Sequence, residues 1–121
     1  MIGPDGPVRW TSMENVHFEH RSAAIESKCA QKLAGLAVWM NENPDVVIVL
    51  DGHAGLAGVD DATPTLSNQR IIAVRDTLVA DGVASGRIYA APLGEQVLLC
   101  REETELCQFR NRRVEILVGR L

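Results

Sequence analysis

The chain has 121 residues, 46% of them apolar and 23% charged, enough for one domain with its own packed core. Its formal net charge of −4 offers no basic field to nucleic acid, and the few aromatics (Trp10, Phe18, Trp39, Tyr89 and Phe109) make no base-stacking surface. The apolar run of residues 46–50, which no other exceeds, falls far short of the roughly 20 residues of a membrane span. The opening Met1-Ile2-Gly3-Pro4-Asp5-Gly6-Pro7 lacks the basic and apolar regions of a signal peptide. Residues 1–13 read as a linker, and 14–121 as the domain.

Residues 14–19, ENVHFE, alternate as a short strand that turns Val16 and Phe18 inward. Ser22 is a fitting N-cap for the helix that follows. Ile25, Cys29, Leu33, Leu36 and Met40 recur at helical spacing, with Glu26, Lys28, Gln31 and Lys32 on other faces. Asn43-Pro44 stops this helix. Residues 45–51, DVVIVLD, are too apolar for a one-sided strand and read as a central strand covered on both faces or nearly so.

Gly52, Gly55 and Gly58 then punctuate a loop. A second helix begins near Thr63-Pro64-Thr65, where Thr63 can cap and Pro64 suits the first helical position. Ile71, Val74 and Leu78 form its buried stripe, and Asp81-Gly82 ends it. Residues 87–92, RIYAAP, make a third strand. A polar loop follows, and residues 111–118, NRRVEILV, form the last strand with Val114, Ile116 and Val118 on one face. The order β-α-β-α-β-loop-β, with two helices on one face of a sheet, predicts a two-layer α/β sandwich.

The polar loop holds Cys100 and Cys107, whose closeness favours a disulfide and an oxidising compartment; the alternative is a pair of reduced thiols. Cys29 reads as a small buried hydrophobe of the first helix. His17, His20 and His53 are scattered and no CxxC occurs, so no metal site is expected. Catalysis finds little support: there is no GxSxG, no Walker loop and no carboxylate pair on one helix face. His53 at a strand end caps a loop more readily than it serves as a base, and GHAGLAG is not a dinucleotide fingerprint.

Arg70 stands out. It follows a glycine-rich loop within the first turn or so of the second helix, where exposed N–H groups favour anions, and a guanidinium there makes a carboxylate fork. The competing reading pairs Arg70 with Asp60, Asp61 or a backbone carbonyl. Arg110, Arg112 and Arg113 cluster around Asn111. Strand alternation sends Arg112 and Arg113 to opposite faces, and the simpler reading of the cluster is solvated charge with one internal ion pair.

Taken in order, VHFEHRSAAI, NPDVVIVLDGHAG, LSNQRIIAVRDTLVADGV, GRIYAAPLGE and NRRVEI resemble the OmpA-like C-terminal domain, the peptidoglycan-binding module also found in Pal lipoproteins and MotB-type flagellar motor proteins. The resemblance covers about residues 14–118. It implies a β-α-β-α-β-β fold with helices on one face of a mixed four-stranded sheet. It also implies a non-catalytic, cofactor-free module of the Gram-negative periplasm and outer membrane that anchors its parent to the cell wall.

The ligand so implied is the peptidoglycan stem peptide, through meso-diaminopimelate, whose stereocentre carries both a carboxylate and an ammonium. Arg70, in LSNQR, falls on the family's ligand arginine; Asn111 and Arg113 fall in its NRRVE-type strand, and Phe18 joins them at the implied site. The resemblance departs at Gly55, which occupies the place of the aspartate that holds the ligand's amine, and at Thr63, which replaces an asparagine. Asp60 or Asp61 is then the expected source of negative charge. The alternative is a degenerate module that docks other envelope proteins.

Overall fold

A computed structural model describes residues 2–3, 6–7, 10–19, 21–53, 64–90 and 111–120. Ile2–Gly3 and Gly6–Pro7 pair as a short antiparallel ribbon. The domain itself consists of β1 (Thr11–His17), α1 (Ser27–Glu42), β2 (Val46–His53), α2 (Pro64–Ala80), a 3-10 turn (Ser85–Arg87), β3 (Ile88–Ala90) and β4 (Arg113–Arg120). Strand order in the sheet is β1-β4-β2-β3. β4 runs antiparallel to both neighbours, whereas β2 and β3 are parallel. This is the two-layer arrangement that the sequence pattern predicts, with the mixed four-stranded sheet that the family resemblance implies.

The core lies between the sheet and the two helices. Val46, Ile48 and Leu50 from β2, Val114 and Ile116 from β4, and Val16 and Phe18 from the β1 arm meet Leu33, Leu36, Ala37 and Met40 of α1 and Ile71, Val74 and Leu78 of α2. The expected α2 stripe is therefore the buried one, as are Leu33, Leu36 and Met40 of the first; Ile25 precedes α1, and it and Cys29, a free thiol, pack half-buried against this core. On the face away from the helices Val47 is also buried and Val49 half-buried, which explains why β2 shows no polar alternation.

Several boundaries differ from the sequence reading: β2 runs on to His53, Arg87 belongs to the 3-10 turn and β4 spans Arg113–Arg120, and the starts of β1 and α1 shift as well. β1 begins at Thr11 rather than Glu14, because Thr11 and Ser12 pair with Val118 and Leu117 across an irregularity before Glu14. An edge strand needs only one partner and one apolar face, so its polar start carries little hydropathy signal. α1 begins at Ser27, and the cap position is Glu26, which makes no side-chain cap bond. Ser22 instead accepts the Ala24 N–H at 3.1 Å in a local turn, beside Arg21 with φ of +55°. That segment is set by tertiary bonds, described below, which local propensity does not encode.

The second helix ends as expected. Gly82 takes φ of +101°, its N–H reaching Val79 O at 3.0 Å while Val83 N–H reaches Leu78 O at 3.1 Å, a Schellman closure. Gly82→Ala is expected to destabilise the domain by about 1 kcal/mol, since a Cβ resists this backbone region, and it would also press on Asn41 Nδ2 at 3.3 Å. Urea titration should show a lower midpoint with an unchanged slope.

Arg87, read from sequence only as the start of a strand, is a latch. Its guanidinium donates to Met40 O and Asn43 O at 2.8 Å each and to Val46 O at 3.0 and 2.8 Å. It thereby satisfies carbonyls at the end of α1 and ties them to the first residue of β2.

Across the sheet's other face, Asp51 stands opposite Glu115, and Ser12 Oγ donates to Glu115 Oε2 at 2.7 Å. Burial raises the Asp51 carboxyl pKa above its ordinary value, Glu115 adds to the rise, and Arg113 opposes it. An acid whose pKa is raised on folding binds more protons folded than unfolded just above the ordinary carboxylate range. Stability therefore falls as pH rises through that window and stays lowered at neutral pH. Asp51→Asn is accordingly expected to stabilise the domain at pH 7 by a few tenths to about 1 kcal/mol, the scale of a cross-strand pair, with no gain near pH 3. Denaturant melts at the two pH values check it.

Candidate functional site

The candidate site is built where β2 ends and α2 begins. Arg70 sits in the second turn of α2 rather than the first, beyond the reach of the helix-terminal dipole, which fades within one turn. It is 1% exposed. Nε donates to Ser22 O at 2.8 Å and Nη2 to Glu19 O at 3.1 Å, and the guanidinium carbon lies 5.3 Å from the Phe18 ring centroid, a cation–π distance. Of the two sequence readings of Arg70, these bonds realise the backbone-carbonyl pairing. They also hold the guanidinium in one orientation at the joint between β1 and α1.

Arg112 joins it from the other side. Its Nε donates to Phe18 O at 2.9 Å, and Phe18 N–H donates back to Arg112 O at 2.9 Å. The expectation of solvated arginines is overturned: Arg112 is 1% and Arg113 2% exposed. Burial depresses the Arg113 pKa while Glu115 and Asp51 sustain its charge, which associates Arg113 with those two carboxylates on the face away from the helices. Arg112 is thus the arginine at the start of this strand that bonds to Phe18. Strand periodicity held the signal: Arg112 has the same parity as Val114 and Ile116, both core residues. Asn111 is fully buried next to it.

Ser67 and Gly52 are the residues that sequence reasoning missed. Gly52 is the seventh residue of β2, not part of a loop. A Cβ built on it would lie 2.5 Å from Ser67 Oγ and 3.0 Å from Ile71 Cδ1, so glycine is required for α2 to seat on the strand end. Ser67, 2% exposed, has an Oγ with no hydrogen-bond partner among the described residues. It lies four residues before Ile71, so extending the apolar stripe backward by one turn finds it.

Gly55, Asp60, Asp61, Thr63, Arg110, Cys100 and Cys107 lie outside the described residues, so the proposed source of negative charge and the disulfide rest on sequence alone. His53 is placed by its backbone, opposite Arg113 in the ladder. Among the described residues no group of three acidic, histidine or cysteine side chains could hold a metal, and no helix is long and apolar enough to cross a membrane. A cavity of about 450 Å³ between Thr11–Met13 and Val118–Arg120 lies at the far end of β1 and β4 from Arg70.

Comparison with known proteins agrees with this architecture. The chain is 32% identical over 102 residues to a peptidoglycan-associated lipoprotein of Mesorhizobium japonicum, covering 83% of this chain and 60% of the relative. It is 32% identical over 107 residues to the probable lipoprotein YiaD of Escherichia coli, covering 88% of this chain and 49% of that one. It thus spans about half to three fifths of the length of these curated relatives. Among solved structures, the peptidoglycan-associated lipoprotein of Burkholderia pseudomallei superposes with a TM-score of 0.80 at 23% identity, over 88% of this chain and 90% of that chain. The profile of the OmpA family matches residues 17–112, from the end of β1 through the arginine that holds Phe18, and the chain belongs to that family.

Proposed function

We propose that this domain is a non-catalytic module that binds the peptide stem of peptidoglycan, through diaminopimelate, and so anchors a periplasmic or outer-membrane-associated protein of a Gram-negative envelope to the cell wall. The observation that carries the reading is Arg70: a buried guanidinium on α2, oriented by two backbone carbonyls of the segment joining β1 and α1. The names of the lipoprotein relatives point the same way.

In this reading the ligand's ammonium meets no fixed anion at Gly55, and the interaction is weakened unless Asp60 or Asp61 supplies the charge. Titration of the protein with a diaminopimelate-containing muropeptide tests the function directly. Gly55→Asp, provided the variant melts normally, is expected to tighten binding by about tenfold or more, since it restores a charge-assisted acceptor. Tight wild-type binding that Gly55→Asp leaves unimproved would mean that an acid already serves the site. No binding by either protein would favour a docking module for other envelope proteins.

A further inference from the structure

Among the described residues one buried polar group is used neither by the fold nor by the bonds that hold Arg70. Ser67 Oγ is closed off from water and has no hydrogen-bond partner among the described residues. A buried hydroxyl without a partner is costly and rare in folded proteins. The hydroxyl lies against the strand end: it would stand 2.5 Å from a Cβ at Gly52. Ser67 also precedes Arg70 by three residues on α2, a spacing that brings side chains onto one face about 5–6 Å apart at Cβ. Ser67 and Arg70 therefore share one face of α2, and the hydroxyl lies at the end of β2.

We infer that Ser67 is a ligand-contacting residue of this site, its Oγ–H donating to the peptide carboxylate that Arg70 takes up. The inference rests on the peptide-binding reading above and extends it to a residue outside the arginine clamp. The chemistry selects a carboxylate over an ammonium, because the Arg70 cation beside Ser67 repels a second positive charge while both groups donate to the same anion. Gly52 completes the arrangement, since a side chain there would occupy the space next to the hydroxyl.

The test compares wild type, Ser67→Ala and Arg70→Ala by calorimetric titration with a diaminopimelate-containing muropeptide, with thermal melts alongside. Ser67→Ala should bind at least about tenfold more weakly, the scale of one hydrogen bond to a charged group, while melting at the same temperature or higher. A purely packing serine would shift the melt and leave the affinity alone. Ser67→Cys, which keeps the shape but is a weak donor, should fall between wild type and Ser67→Ala. If Ser67→Ala binds like wild type while Arg70→Ala loses binding, the role of Ser67 is overturned and the peptide-binding reading stands. If wild type does not bind the muropeptide, both are overturned.

Discussion

Arg70→Ala is expected to weaken muropeptide binding by at least about 2 kcal/mol, the order of a charge-assisted contact to a carboxylate, and to lower the stability of the domain as well. The two losses have different origins. Binding loses the guanidinium that faces the ligand. Folding loses the bonds to Ser22 O and Glu19 O and the stacking on Phe18, and with them the tether that holds residues 18–22 against α2. That stability loss is expected at about 2 kcal/mol, because burying the cation carries a desolvation cost that its bonds only partly exceed. Affinity should therefore be measured by calorimetry well below the melting temperature of the variant. Arg70→Lys is expected to recover little: an ammonium cannot reach two separated carbonyls and a ligand with one planar group. A variant that binds like wild type would move the site away from Arg70.

Gly52→Ala is expected to cost about 1–3 kcal/mol of stability, as overpacking does in a close-packed core. The added Cβ meets Ser67 Oγ at 2.5 Å and Ile71 Cδ1 at 3.0 Å, so either the serine rotates or α2 lifts from the strand. The two responses separate in a double-mutant cycle. In a Ser67→Ala background the nearer clash is gone, and most of the Gly52→Ala penalty should vanish if the serine alone was in the way. A penalty that persists would assign the strain to Ile71 and the seating of the whole helix. Ser67→Ala by itself should be neutral or stabilising by up to about 1 kcal/mol, since it removes a buried hydroxyl with no partner among the described residues. Denaturant midpoints for the four proteins decide the matter.

What the chain determined by itself was its layering. The helical spacing of Leu33, Leu36 and Met40, and of Ile71, Val74 and Leu78, together with the unbroken apolar run of β2, already dictates two helices over a central strand, and each of these residues is buried except for Val49 in that run. Gly82 after Asp81 likewise marked the end of α2, because only that backbone freedom closes the helix there. These signals are local: period, cap and turn residue lie within one element. The composition of the candidate site was legible in part, since Arg70 and Phe18 could be named from the sequence.

The tertiary structure alone decided how those groups are used. Arg70 bonds to carbonyls 48 and 51 residues away, Arg112 to one 94 residues away, and Arg87 to three at the end of α1 and the start of β2. A guanidinium can find such partners only after the chain has folded, and nothing in its neighbours in sequence announces them. The same holds for the beginning of β1 and for the late start of α1: Thr11 is a strand residue because Val118 lies beside it, and Ser22 leaves the helix because a distant arginine takes its carbonyl. Gly52 shows the limit most plainly. As a residue it reads as a loop signal, yet it is glycine because a serine and an isoleucine from another element press on it, a steric requirement that exists only between packed layers.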